Sequence, residues 1–214
     1  NGVHFTDIAL WGLGVERHPR RVECVGGRLG YEDDGETANT QIASFDYGDA
    51  RLLIEVRGLD TKDYRGQQVG LVFHCEKGYL AGTKAFDPDG KPLPVDAPDD
   101  GRATGPFRNF IDAVKKGDPK ALNADVLLGH YSSAVCHLAN VSYRLGAPAP
   151  LDAKEAPFAG DEAGREALGR MVEHLKENDL DPAKTSIRRG PALVFDDATE
   201  RCVGNPEADK LLTR

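Results

Sequence analysis

Hydrophobic and polar residues change their period along the chain, and each period predicts one kind of element. In the stretch 3–13, apolar residues outnumber polar ones up to Gly12-Leu13-Gly14, which predicts a short, largely buried helix. His4 and Asp7 are three residues apart and therefore share one face of this helix. From residue 20 onward the period falls to two, the period of a strand.

Alternation of apolar and polar side chains predicts at least five antiparallel strands. Residues 51–57 alternate between apolar and charged side chains, which predicts a strand with one solvated face, and Asp46-Tyr47-Gly48-Asp49 supplies the turn before it. Residues 21–25 predict an earlier strand. A second hairpin is predicted over 69–86, and it ends at the turn Asp87-Pro88-Asp89-Gly90.

After a loop rich in proline, glycine and aspartate, apolar residues recur at helical spacing. The first predicted helix runs from Pro106 to Gly117 and carries an apolar stripe formed by Phe107, Phe110, Ile111 and Val114. Asn123 is predicted to cap the next helix, which ends at Gly146 and lies on the sheet. A third helix is predicted from Asp161 to about Asn178, and residues 179–214 are predicted to be an irregular tail.

Strands in one run and helices in another predict an α+β fold, with an open, mainly antiparallel β-sheet and helices packed on one face. We expect a single domain over residues 1–214, with the opening helix at 1–14, sheet hairpins at 20–90 and helices at 105–178. The second face of the sheet would then be solvated or covered in an oligomer. A homo-oligomer that forms through the sheet is therefore expected.

Charge and cysteine usage narrow the classes of partner. With 27 basic and 35 acidic residues the net charge is -8, which argues against binding to nucleic acid or to an anionic membrane surface. No apolar run approaches the roughly 20 residues of a membrane span. The four cysteines are far apart and form no C-x-x-C pair, so we expect reduced, mostly buried thiols. The expected partner is a small molecule or another protein.

The first candidate for chemistry is His4 with Asp7, because an imidazole whose tautomer is held by a carboxylate can take a hydroxyl proton near neutral pH. The alternative is that Asp7 pairs locally and His4 packs in the core. A second candidate is a polar stripe on the long helix, which could line a pocket for a hydroxylated ligand or form the solvated shoulder of a buried helix. The stripe consists of His130, Ser133, His137, Asn140 and Arg144.

The loop 31–40 is rich in carboxylates and hydroxyls, which suit the recognition of sugar hydroxyls and equally suit an exposed turn. Nothing in the histidine and aspartate spacing demands a metal site. The G-x-G-x-x-G fingerprint of a dinucleotide site is absent from the sequence. Phosphate-binding loops, G-x-S-x-G and H-E-x-x-H are absent as well, so hydrolase classes built on those motifs have no support.

Several segments in this order resemble the C-terminal domain of the Gfo/Idh/MocA oxidoreductases, the family of glucose-fructose oxidoreductase and inositol dehydrogenase. The segments are Asn1-Gly2-Val3-His4 through Asp7-Ile8-Ala9-Leu10-Trp11, then Gly26-Gly27-Arg28-Leu29-Gly30 through Thr37, Gly70-Leu71-Val72-Phe73-His74, Leu122-Asn123-Ala124-Asp125, and His137-Leu138-Ala139-Asn140. The resemblance spans nearly the whole chain, and the G-x-H segment is its most specific short piece.

The resemblance implies a two-domain parent whose N-terminal Rossmann domain, absent from this chain, holds NAD or NADP. The isolated chain is expected to bind no dinucleotide and to be inactive alone. His4 would then be the catalytic residue that handles the proton of a sugar or polyol hydroxyl. The expected substrate-binding residues are Asp7, Trp11, Glu36, Asn39, His130 and His137. The partners of His4 in the family, an aspartate and a lysine, would lie outside the chain.

Two other functions stay open at this point. The same family includes glycosidases and lyases that recycle NAD, in which His4 would serve equally well. A non-catalytic carbohydrate-binding or oligomerisation module is the alternative from a different class. The sequence gives no basis for choosing between NAD and NADP, for naming the substrate or for assigning a compartment.

Overall fold

The structure, a computed structural model, describes residues 2–30, 32–96, 105–151 and 157–213. Residue contacts divide the chain into two compact units, and the single domain expected from its length stays a prediction. The first unit comprises Asn1–Glu16 and Asp63–Ser133, and the second comprises Arg17–Lys62 and Ala134–Arg214.

The helices and strands follow one another along the chain in the order given next. The elements are α1 (Gly2–Leu13), β1 (Arg21–Gly27), β2 (Thr40–Asp46), β3 (Arg51–Arg57), β4 (Val72–Cys75), β5 (Gly78–Ala81), β6 (Lys84–Phe86), β7 (Pro92–Leu93), α2 (Gly105–Lys116), a 3-10 turn (Pro119–Ala121), α3 (Val126–Leu145), β8 (Ala147–Pro150), α4 (Glu162–Glu177), β9 (Ser186–Arg189), β10 (Leu193–Asp196), β11 (Arg201–Cys202) and α5 (Pro206–Leu211). The predicted helices at α1, α2, α3 and α4 and the strand β3 are confirmed.

The second unit is built on an open, seven-stranded antiparallel sheet, which confirms the predicted α+β class. Its main path runs β11-β10-β1-β2-β3, while β9 pairs with β1 and with β8. Along β1, β2 and β3 the register places Val22 opposite Phe45, and Phe45 opposite Leu52. Directly opposed residues share a face of the sheet, so the faces can be assigned from this register.

Helix α4 packs on the charged side of β3, so the prediction that this side is solvated is wrong. Leu53 from this side joins the core cluster that contains Met171 and Leu175 of α4. The charged residues beside it are paired: Glu55 accepts hydrogen bonds from both Arg57 and Arg170. Charged side chains can lie under a helix when each meets an opposite charge, and alternation alone does not reveal that pairing.

The opposite face of the sheet is also buried along its central strands. Val22, Cys24 and Phe45 are each 0% exposed, and Ala43 is 2% exposed. The expectation of an oligomer rested on apolar side chains left uncovered on this face, and along β1 and β2 those side chains are covered. An oligomer through the sheet stays a prediction without that support.

The first unit contains a separate four-stranded sheet in the order β4-β5-β6-β7. The predicted return strand of this hairpin is interrupted, because Gly82 has a positive φ of 58° and the turn around it divides β5 from β6. The predicted turn after β6 is confirmed, since the Gly90 N–H donates to the Asp87 carbonyl. Gly12 of α1 lies against this sheet: a Cβ there would meet the Phe73 ring at 2.5 Å.

Two further predictions fail at the ends of elements. The tail 179–214 is not irregular, because it holds β9, β10, β11 and α5, and β9 and β10 both pair with β1. Asn123 does not cap α3. Asp125 takes that position, since its side chain accepts the N–H of Leu127 at 2.8 Å.

Two predicted apolar stripes are not buried by the described part of the chain. On α1 only Thr6, Ala9 and Leu10 are buried, so this helix is not the largely buried one that was predicted. On α2 only Ala113 is buried. The apolar stripe of α2 is exposed, at 84% for Phe107, 60% for Phe110, 46% for Ile111 and 62% for Val114.

Candidate functional site

The outer side of helix α1 carries three of the predicted site residues. His4, Asp7, Ile8 and Trp11 follow one another at helical spacing and are all exposed, while Thr6, Ala9 and Leu10 form the buried side. We call this exposed set the α1 face. Trp11 is 79% exposed, which is unusual for the largest apolar side chain and typical of a residue that meets a ligand or partner.

The carboxylate of Asp7 is held in place by a residue of α3. The Ser132 hydroxyl, on a residue only 2% exposed, lies 2.7 Å from Asp7 Oδ1. A second bond ties the same two helices, since the Thr6 hydroxyl donates to the Ser132 carbonyl at 2.9 Å. Asp7 therefore pairs with a serine of the neighbouring helix rather than capping α1 or serving only His4.

The α1 face combines an imidazole, a carboxylate and an indole. His4 is exposed and has no side-chain hydrogen bond within the part of the chain that the structure describes, so the alternative that it packs in the core is wrong. An exposed imidazole can accept a proton from a ligand hydroxyl, and a carboxylate can accept a second hydroxyl. An indole offers an apolar face to the C–H groups of a sugar ring.

Two predicted site residues lie on the loop between β1 and β2, in the second unit. Glu36 is exposed. Asn39 is buried. Its side-chain oxygen accepts the Leu29 N–H at 2.9 Å, and its side-chain NH2 donates to the Leu29 carbonyl at 2.7 Å. The role that the structure gives Asn39 is therefore to hold this loop closed.

The remaining predicted site residues lie on α3. His130 is exposed and belongs to the first unit, with its ring 5.8 Å from that of Tyr131. His137 is also exposed and belongs to the second unit. Asn140 and Arg144 are exposed too, so this polar stripe follows the solvated side of the helix, as one of the two interpretations expected.

Neither glycine cluster leads from a strand into a helix. Gly12 and Gly14 lie at the end of α1, and Gly26 and Gly27 end β1, after which the next described element is β2. A dinucleotide phosphate is normally bound where a strand runs through glycines into a helix N-terminus. The described residues therefore do not fit NAD or NADP, and we assign no cofactor step to them.

The cysteines do not supply an activated nucleophile from the core. Burial raises the pKa of Cys24 to about 12 and that of Cys202 to about 11. All four thiols are free, with Cys136 half-buried and Cys75 exposed. The two buried thiols stay protonated at neutral pH and act as small packing residues.

Sequence reasoning missed Ser132 and Thr6. Ser132 lies on one side of α3 with Leu128, four residues before it, and Val135, three residues after it. A serine among apolar neighbours needs a hydrogen-bond partner when it is buried. That signal was present in the sequence. The identity of the partner was not, because Asp7 lies 125 residues away along the chain.

Comparisons with known proteins identify no relative: no family model, no curated protein and no solved structure matches this chain. Among the described residues, none of the helices has the length and apolar content needed to cross a bilayer.

Proposed function

We propose that this chain is the substrate-side domain of a nicotinamide-dependent oxidoreductase of the Gfo/Idh/MocA type, acting on a sugar, a polyol or a related hydroxylated compound. The observation that carries the proposal is the α1 face, where His4, Asp7 and Trp11 are presented together on the exposed side of one helix. These residues belong to the segment with the most specific resemblance to that family. NAD or NADP would be held by a nucleotide-binding domain outside the residues described.

In this proposal the α1 face binds and orients the substrate. Trp11 packs against the C–H face of the ligand, and Asp7 accepts a hydroxyl hydrogen bond. His4 takes the proton of the hydroxyl group that is oxidised, and the nicotinamide, held outside the described residues, would supply the hydride acceptor. In any longer form of the protein that shows the activity, His4→Ala should lower kcat/KM by about 10²- to 10⁴-fold, the usual contribution of general acid–base catalysis.

Ligand binding by the chain itself can be measured through Trp11, its single tryptophan. Titration with myo-inositol or D-glucose should change the Trp11 fluorescence saturably, and Asp7→Ala should weaken the binding. Asp89→Ala is the matched control, because it removes an exposed carboxylate of the same unit from the turn after β6. If neither compound changes the fluorescence, or if Asp7→Ala binds as the wild type does, the proposed function is wrong.

Calorimetry with NAD tests the domain assignment separately. The chain alone should show no binding, because among the described residues no strand leads through a glycine loop into a helix. Tight, stoichiometric binding of NAD would contradict the assignment of the chain as the substrate side.

The exposed stripe of α2 favours a second candidate function, a module that associates with another protein surface without catalysis of its own. Four large apolar side chains at helical spacing, each between 46% and 84% exposed, form an unusual solvent-facing stripe. A purely associating module would lose its interaction when this stripe is changed and would be indifferent to His4→Ala.

A further inference from the structure

The hydrogen bonds around Ser132 point to a specific role for this buried residue. Its hydroxyl has one proton and two acceptors within reach, Asp7 Oδ1 at 2.7 Å and the Leu128 carbonyl at 2.9 Å. The carboxylate is the closer and the stronger acceptor, since hydrogen bonds to a charged group are roughly twice as strong as neutral ones. The Ser132 hydroxyl is therefore assigned as donating its proton to the hydrogen bond with Asp7.

The same contact leaves the second oxygen of Asp7 available. Asp7 is exposed, and Oδ2 has no hydrogen-bond partner within the described ranges of the chain. Fixing one oxygen of a carboxylate sets the orientation of the other, because both oxygens are bonded to the same planar carbon. The bond from Thr6 to the Ser132 carbonyl, at 2.9 Å, holds the backbone of the same turn of α1 on α3.

We propose that Ser132 is a positioning residue for the α1 face: its hydroxyl fixes the Asp7 carboxylate so that the second oxygen is aimed at a hydroxyl of the sugar or polyol. This role rests on the proposed function of the α1 face. Ser132 itself need not touch the ligand, because it acts through Asp7.

The test is a double-mutant cycle read by Trp11 fluorescence during titration with myo-inositol and D-glucose. Ser132→Ala should raise the Kd by about three- to tenfold, the net loss expected for one ordinary hydrogen bond, because Ser132 orders Asp7 and does not bind the ligand itself. In the Asp7→Ala background the same change should have no further effect, because its target has been removed. Ser133→Ala is the matched control, since this neighbouring serine makes no side-chain hydrogen bond within the described residues.

A structural role alone would not give this pattern. If Ser132→Ala merely loosened the fold, its effect would add to that of Asp7→Ala. Should Ser132→Ala fail to fold, the pair Ser132→Thr and Ser132→Val compares side chains of one shape with and without the hydroxyl, and only Thr should keep the wild-type Kd. Equal Kd values for that pair, or additive effects in the cycle, would overturn the proposal.

A measurement without ligand separates this proposal from the proposed function. The side-chain couplings of Asp7, measured by NMR, should report one rotamer in the wild type and averaged rotamers in Ser132→Ala. Averaged couplings in the wild type would overturn the positioning role. Ordered couplings together with no response to either polyol would show that Ser132 orders Asp7 and that the proposed ligand class is wrong, which also overturns the role in substrate binding.

Discussion

His174 of α4 is a buried histidine whose ring has lost its contact with water without gaining a partner. It is 5% exposed, and neither ring nitrogen has a hydrogen-bond partner within the described residues. The charged groups around it are Arg57, Asp60 and Glu177. Burial lowers the pKa of this imidazole, and the Arg57 guanidinium lowers it further. The folded protein thus resists a proton that the unfolded chain accepts.

This difference predicts how stability depends on pH. Above about pH 6.5 His174 is neutral in both states, and as the pH falls below that value the unfolded chain gains a proton that the fold disfavours. The free energy of unfolding should therefore decrease below about pH 6.5. In His174→Leu this decrease should be smaller, and stability at pH 7 should rise by about 1 kcal/mol because an unsatisfied polar group is removed.

The effect can be measured by urea unfolding, followed by circular dichroism. The pH should run from about 5 to 8, the range in which an imidazole normally titrates. His137→Leu is the matched control, because it makes the same substitution at an exposed histidine of the same unit. An unchanged pH dependence in His174→Leu would show that protons are taken up elsewhere.

At the scale of elements, α4 shows why the strand pattern predicted the wrong face for β3. The predicted alternation of side chains along β3 was correct, but the charged side of this strand lies under α4. Asp161, just before α4, accepts the Gly164 N–H at 2.9 Å as an N-cap and also lies 2.6 Å from an Arg51 nitrogen. Ser44 of β2 donates to the same carboxylate at 2.5 Å. One carboxylate thus joins the start of α4 to two strands.

Asp161→Ala should lower the free energy of unfolding by about 2–3 kcal/mol, because it removes a cap and leaves buried donors unsatisfied. Asp161→Asn keeps an oxygen for the cap but replaces the oxygen that faces Arg51 and Ser44 with an NH2 group, so its loss should be smaller, about 1 kcal/mol. Thermal or urea unfolding of the two variants gives both values. Equal losses would show that the contacts with Arg51 and Ser44, rather than the cap, fix α4.

At the scale of the molecule, the exposed stripe of α2 is the largest departure from the expected burial. The chain has a net charge of -8, which favours solubility, yet Phe107 and Phe110 lie in solvent on one helix. Exposed apolar stripes of this kind mark surfaces for association. A further domain covering this stripe would agree with the first proposed function, and a partner protein covering it would agree with the second.

Changing Phe110 and Val114 together to Glu should reduce concentration-dependent association, measured by analytical ultracentrifugation. Stability should change by no more than about 0.5 kcal/mol, because neither side chain is buried. Ala113→Glu is the matched control on the same helix, and it should destabilise the fold because Ala113 is 5% exposed. A large loss of stability in the double variant would show that the stripe is part of a core.

The sequence by itself determined the periods, and with them the α+β class, most helix bounds and strand β3, because helical and strand spacing are local properties of the backbone. It also placed His4 and Asp7 on one side of α1. The tertiary structure decided which sides are buried, since that depends on partners distant in sequence. It placed α4 over the charged residues of β3 and bonded the Asn39 side chain to the backbone of Leu29. It also brought Ser132 into hydrogen-bond contact with Asp7 on the α1 face.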